Sequence, residues 1–186
     1  MTKKILILKS SPRLRGNSST LANQAALGAQ AAGAQVESIE LNQLDIHPCI
    51  ACDLCQQTGL ECSINDDMQE LYPKLLAADA LLLASPIYWF TYSAQLKLCI
   101  DRWYGLWNNH PDFLRNKPVG IVLSYGDDDL EASGGINAVH SFEYMLRYLH
   151  APIAGIVHGS LSDVGDAEKH PELLHAAYEL GKQLAQ

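Results

Sequence analysis

The sequence predicts a doubly wound α/β fold: a three-layer sandwich around a five-stranded parallel sheet of order 2-1-3-4-5. Three observations predict it. Short apolar runs alternate with stretches of helical period along the whole chain of 186 residues, a βαβα pattern. The runs at 5–8 and 81–84 are apolar without interruption, as strands covered on both faces must be. Five such runs occur, which favours this order over a six-strand dinucleotide fold.

The elements follow in order. The first strand is expected at 4–9, and Leu21, Ala25, Gly28 and Ala32 then recur at helical spacing. A second strand spans 35–40. Leu71, Leu75 and Ala78 mark the next helix and 80–85 the third strand. Leu96, Ile100 and Trp103 share a helix face on which Cys99 reads as core. The fourth strand is expected at 118–124, a helix at 135–150, the fifth strand at 153–157 and a closing helix at 171–185. No repeat, low-complexity tract or linker divides the chain, so one domain covering 1–186 is expected.

Composition narrows the class. With 48% hydrophobic and 18% charged residues the chain reads as an ordinary globular protein. A net charge of −8 with scattered Lys and Arg argues against a nucleic-acid partner. No apolar run reaches the roughly 18 residues of a membrane span. The apolar N-terminal stretch is too short for a signal peptide and lacks a small-residue cleavage site, so a cytoplasmic location with reduced thiols is expected.

Two loops carry the chemistry. Between the first strand and its helix, Ser10, Ser11, Arg13, Asn17, Ser18, Ser19 and Thr20 crowd hydroxyls, an amide and a guanidinium where helix N–H groups stabilise an anion. Gly16 is expected to let the chain turn, and Asn17 or Ser18 to cap the helix. Neither a Walker loop nor G-x-G-x-x-G is present, and hydroxyls in place of glycines suit a terminal monophosphate. After the third strand, Pro86, Ile87, Tyr88, Trp89 and Phe90 offer aromatic faces and backbone N–H groups to a flat ring, with subunit contact as the other use of that surface. Ser93 is expected to cap the helix that follows. A third loop, Ser124, Tyr125 and Gly126, lies at the same end and could approach the ring or its chain; the acidic run behind it reads as solvated loop. A phosphate pocket beside a ring pocket is what flavin mononucleotide (FMN) needs.

These residues resemble the NAD(P)H-dependent FMN reductase family, on the flavodoxin-like fold, and especially its iron–sulfur flavoprotein branch. The likeness rests on Ser11-Pro12-Arg13 with Gly16-Asn17-Ser18, the cysteine segment ending in Asp66-Asp67-Met68, Ser85-Pro86-Ile87-Tyr88, and Gln95-Leu96-Lys97 through Asp101-Arg102. It implies that Ser11, Arg13, Asn17, Ser18 and Ser19 bind the FMN phosphate and that Pro86 to Phe90 line the ring. It also implies reduction of FMN by NADH or NADPH, with electrons passed to a quinone, an azo dye, a metal ion or another protein, in a homodimer or homotetramer. Ser10 stands where the family usually has Gly, a departure that should alter the turn.

Cys49, Cys52, Cys55 and Cys62 form a C-x2-C-x2-C-x6-C segment. The first three match the spacing that wraps a [4Fe–4S] cluster, and Cys62 could complete it after a turn at Gly59. The segment resembles that of iron–sulfur flavoproteins, whose cluster relays single electrons to FMN. Free thiols packing a loop, zinc and a disulfide remain open, and His47 is the one histidine placed to assist as ligand or neighbour. Absence of a G-x-S-x-G elbow and of H-E-x-x-H leaves hydrolase and zinc-protease readings unsupported, and no side chain is needed as a catalytic nucleophile. Two alternatives to a hydride-transferring reductase stand: an FMN and [4Fe–4S] electron-transfer protein serving a ferredoxin-like partner, and a flavin-free binding protein on the same fold.

Overall fold

The computed structural model describes residues 2–59 and 61–186. Its strands are β1 (Lys4–Lys9), β2 (Gln35–Glu40), β3 (Ala80–Tyr88), β4 (Thr91–Tyr92), β5 (Val119–Tyr125) and β6 (Ile153–Ser160). Its helices are α1 (Asn17–Ala31), α2 (Leu54–Thr58), α3 (Met68–Ala77), α4 (Ala94–Asn109), α5 (Gly135–Tyr148) and α6 (Pro171–Leu184). The sheet runs β2-β1-β3-β5-β6 with every neighbour parallel, which is the expected 2-1-3-4-5 once β4 is set aside. Among the described residues no helix is long and apolar enough to cross a membrane.

Period-two alternation along the central strands divides the core. Ile5, Ile7, Leu82, Ala84 and Val122 face α1 and α6, meeting Leu21, Ala25 and Leu180. Leu6, Leu8, Leu81, Leu83, Ile121 and Leu123 face α3, α4 and α5, meeting Leu71, Leu96, Trp103 and Phe142. Each Val, Leu, Ile or Phe among them contributes about 1.5–3 kcal/mol by leaving water. Cys99 is buried in the second layer, as its helical spacing indicated.

The structure departs from the sequence-based expectations mainly at the carboxyl ends of strands. Pro86, Ile87 and Tyr88 belong to β3 rather than to a loop: Pro86 registers with Ser124 of β5, while Ile87 and Tyr88 pair with Tyr92 and Thr91 of the unexpected antiparallel β4. Ser124 and Tyr125 likewise close β5, and β6 continues three residues past 157, through His158 and Gly159. Those extensions escaped detection because Pro, Gly and His weaken a strand pattern, and only partner strands reveal the pairing. The short helix α2 was not anticipated either.

Serine hydroxyls tie the carboxyl ends of the two central strands together. Ser10, Ser85 and Ser93 are fully buried. Ser93 Oγ donates to Ser10 Oγ (2.8 Å), which donates to the Ala84 carbonyl (3.1 Å). The Ser93 amide donates to Ser85 Oγ (2.9 Å), which donates to the Pro86 carbonyl (2.8 Å). Ser93 stands at the N-cap of α4 but makes no side-chain cap bond, since its hydroxyl serves this network. Ser10, the departure from the family pattern, supplies the hydroxyl that links β1 to α4. Ser93→Ala is expected to cost about 1–2 kcal/mol in urea unfolding, because Ser10 loses a buried donor. A loss below about 0.3 kcal/mol would mean the network does not stabilise the strand ends.

Candidate functional site

At the carboxyl ends of β1, β3, β5 and β6 the chain encloses an open crevice of about 220 Å³. This is the switch-point position where doubly wound sheets bind ligands. Nine residues singled out from the sequence line it: Ser11, Arg13, Asn17, Pro86, Ile87, Tyr88, Ser124, Tyr125 and Gly126. Ser18, Ser19, Trp89 and Phe90 do not. A larger groove of about 490 Å³ lies by the amino ends of β1 and β2, where Lys74 and Glu37 satisfy one another at 2.5 Å.

The N-terminus of α1 forms one end of the crevice. Gly16 is the N-cap, with φ −67° and ψ 154°, an extended geometry open to any residue. What Gly16 supplies is closeness, since a Cβ there would stand 2.5 Å from Ser11 Oγ and 2.9 Å from the Arg13 carbonyl. No side chain caps α1, so neither Asn17 nor Ser18 plays the expected capping part. Ser18 Oγ and Ser19 Oγ are buried with no partner among the described residues. A buried hydroxyl left unpaired costs about 1–3 kcal/mol, and an anion at this helix end would relieve that cost. Ser11 Oγ closes a local turn, donating to the Arg13 carbonyl (3.0 Å) and accepting from the Arg13 amide (3.1 Å). Asn17 lines the crevice, but its carboxamide bonds the backbone of the loop at 161–167. These features fit a phosphate monoester: unpaired hydroxyls, free helix N–H groups and the Arg13 guanidinium at the rim.

The expected ring loop is a tight β3–β4 hairpin. Its two central residues, Trp89 (φ 47°) and Phe90 (φ 72°), both sit in the left-handed region. Hairpins of this kind favour Asn-Gly there, and bulky residues hold that conformation at a cost of about 1–3 kcal/mol each. Phe90 is held over Gly134, and its carbonyl accepts from Asn137 Nδ2 (3.1 Å). Trp89 projects into solvent, 92% exposed. Tyr88 alone of the three aromatics reaches the crevice.

The far wall was not anticipated. Leu161, Ser162 and Val164, in the loop after β6, face Tyr125 and Gly126. The Leu161 amide donates to the Tyr125 carbonyl (2.6 Å) and Ser162 Oγ to the Gly126 carbonyl (2.9 Å). The only sequence signal for this wall was its place after a parallel strand, the same rule that located the other loops. Burial pushes the Tyr125 phenol up, and its hydroxyl lies 3.0 Å from His158 Nδ1.

Cys49, Cys52, Cys55 and Cys62 line a separate depression against α4, with Arg102, Tyr104 and Gly105. Gly105 is required there, because a Cβ would stand 1.5 Å from the Glu61 carbonyl. Ala51 (φ 52°) and Asp53 (φ 55°) hold left-handed backbone on either side of Cys52. The Leu54 N–H, then the Ser63 hydroxyl, hold the Cys52 thiol below its usual range; burial, then Cys62, pushes Cys55 up. Among the described residues no three Cys, His, Asp or Glu groups converge closely enough to hold a single metal ion. Four thiols around one depression suit a cluster, whose corners lie apart. Measured along α4 at 1.5 Å per residue, Gly105 lies about 18 Å from Ser93 and the crevice.

A buried ion pair anchors this segment. Arg102 Nη1 and Nη2 bond Asp66 Oδ2 (2.5 Å) and Oδ1 (3.1 Å), and Nη1 also donates to the His47 carbonyl (2.9 Å). Both side chains are wholly shielded from solvent. Burial alone pushes the Asp66 carboxyl up, but Arg102 and the His47 and Met68 N–H groups outweigh it and hold it below the usual range. His47 contributes its backbone carbonyl and amide to this pair, and its ring Nδ1 lies 3.7 Å from Asp66 Oδ2.

Two outcomes follow from these strained and paired residues. Trp89→Asn is expected to raise stability by about 1 kcal/mol, by removing a bulky left-handed residue; a fall in the urea midpoint would contradict the strain. Arg102→Met should lose about 3–5 kcal/mol at neutral pH, since Asp66 is left buried and unpaired. The depressed wild-type carboxyl contributes its stability above about pH 4 and loses it as pH falls through the folded value. The gap between variant and wild type should therefore narrow in acid, and a gap constant from pH 7 to 3 would count against the pair.

Comparison with known proteins bears on family and fold. An iron-sulfur flavoprotein of Methanocaldococcus jannaschii is 34% identical over 139 residues, covering 75% of this chain and 70% of the relative. YwqN of Bacillus subtilis, named as a candidate NAD(P)H-dependent FMN-containing oxidoreductase, is 30% identical over 184 residues, 97% of each chain. The solved NAD(P)H:quinone oxidoreductase of Methanothermobacter marburgensis shares the fold, with a TM-score of 0.77 at 21% identity over 100% of this chain and 98% of that one. The sequence model for NADPH-dependent FMN reductase matches residues 3–163, and the chain belongs to that family.

Proposed function

We propose that this oxidoreductase binds FMN in the crevice and transfers hydride from NADH or NADPH, passing the electrons to a quinone, an azo compound, a metal ion or a protein. The observation that carries the reading is the pair of buried, unpartnered hydroxyls of Ser18 and Ser19 at the α1 N-terminus, beside a crevice floored by β3 and β5. Bound FMN supplies the redox chemistry; the chain supplies position and electrostatics. Ser18, Ser19, Arg13 and the first helix N–H groups hold the phosphate, with Ser11 shaping the turn beneath it. Pro86, Ile87, Tyr88, Ser124, Tyr125 and Gly126 surround the rest of the cofactor. The crevice is smaller than the roughly 300–1,000 Å³ of sites that engulf a ligand, which leaves a flavin face open to NAD(P)H and then to the acceptor. No side chain acts as a nucleophile. A homo-oligomer is supported by an aromatic ladder along α4 and α5, in which the exposed Tyr104 and Tyr148 flank the half-buried Trp107.

A second reading, electron transfer through FMN and a [4Fe–4S] cluster to a ferredoxin-like partner without direct hydride chemistry, draws on the four thiols around one depression. An absorption spectrum of anaerobically purified protein, with iron and sulfide assays, separates the two. Flavin bands that bleach on adding NADPH support the reductase; bound iron and sulfide with no bleaching by NADPH or NADH support the second. Arg13→Ala is expected to weaken FMN by about tenfold and riboflavin by less than twofold, since a charged hydrogen bond to phosphate is lost. Equal loss of both ligands would remove Arg13 from the phosphate site.

A further inference from the structure

We propose that the Asn17 side chain is a positioning residue for the far wall of the crevice and takes no part in holding phosphate. The family pattern around Arg13 and Ser18 makes Asn17 look like one more anion ligand. The hydrogen bonds exclude that use. A carboxamide has two N–H donors, and only donors can bind a phosphate. Asn17 Nδ2 gives both away, to the carbonyls of Leu161 (3.0 Å) and Asp163 (2.8 Å). Asn17 Oδ1 accepts from the Ala167 amide at 3.1 Å. What remains is an acceptor lone pair, which repels an anion. Asn17 offers a phosphate only its backbone N–H, as any residue at that helix position would.

The same three bonds say what the side chain is for. Two carbonyls and one N–H from a single loop converge on it, 144 to 150 residues away in sequence. Two donors and one acceptor in one short planar group are found in Asn; Asp lacks the donors and Ser has only one. The loop so held carries Leu161, Ser162 and Val164, and its other side is fastened to β5 through the Tyr125 and Gly126 carbonyls. Asn17 is the fastening on the α1 side. It joins the helix end that receives the phosphate to the wall that meets the remainder of the flavin.

The inference rests on the flavin reading above, and the test separates the two. Dissociation constants for FMN and riboflavin are measured on wild type and on Asn17→Ala by flavin fluorescence. Loss of the wall should raise both constants together, by about tenfold, and leave their ratio within about twofold of wild type. A loss of FMN affinity many times that of riboflavin would make Asn17 a phosphate ligand and overturn the proposal. Unchanged affinity for both would overturn it equally. Hydrogen exchange on the unmodified, flavin-free protein gives a second readout that does not depend on the variant folding. The Ala167 amide should exchange at least about 100-fold more slowly than an unprotected amide, and exchange at the unprotected rate would break the clamp. If wild type binds neither flavin, the functional reading falls, and Ala167 exchange still decides the role of Asn17.

Discussion

Parallel pairing of β1 with β3, Ile5 against Ala80 through Lys9 against Ala84, fixes where the two central strands release their chains. The Ser10 amide extends the seam by one more bond to the Ala84 carbonyl (2.9 Å). Past that point β1 turns away toward α1 and β3 runs on to its hairpin, because β2 and β5 lie on opposite sides of the pair. The crevice is the space between the diverging segments. Its walls are the last residues of β3 and β5 and the first pieces of chain after β1, β5 and β6. The serine network keeps the mouth of this seam from opening, since it bonds both strand ends to the start of α4.

Helix α4 carries two different loads. Its first turn is tied by Ser93 to the crevice, and its middle receives the cysteine segment through Arg102 and Gly105. The crevice end is built from unpaired hydroxyls and helix N–H groups that favour an anion, while the cysteine end is built from thiols and left-handed backbone. A helix of 16 residues holds them apart at a set distance.

The fold was legible because strands buried on both faces announce themselves as unbroken apolar runs, and 5–8 and 81–84 did. The α1 end of the crevice was legible for a similar reason, as hydroxyls and Arg13 cluster where a helix must begin. The rest was hidden by distance along the chain. Nothing near Leu161, Ser162 or Val164 marks them as a wall, and the partner that places them, Asn17, is 144 residues earlier. Trp89 and Phe90 read as ring contacts by composition, yet a hairpin too tight for them turns Trp89 outward. Ser93 has a capping residue's identity and position, but a buried neighbour claims its hydroxyl. In each case a local preference gave way to a long-range hydrogen bond or strand pairing.

The Asp66–Arg102 pair has one more consequence. It fastens the cysteine segment through groups that are not sulfur, with the His47 and Ile64 carbonyls sharing the guanidinium. The segment's shape is thus insured separately from whatever its thiols hold. A lineage could drop, re-space or repurpose those cysteines while the surrounding chain kept its path and the crevice its geometry. The scaffold thus lets the cysteine loop vary as a unit, its path held by carboxylate, guanidinium and backbone rather than by sulfur.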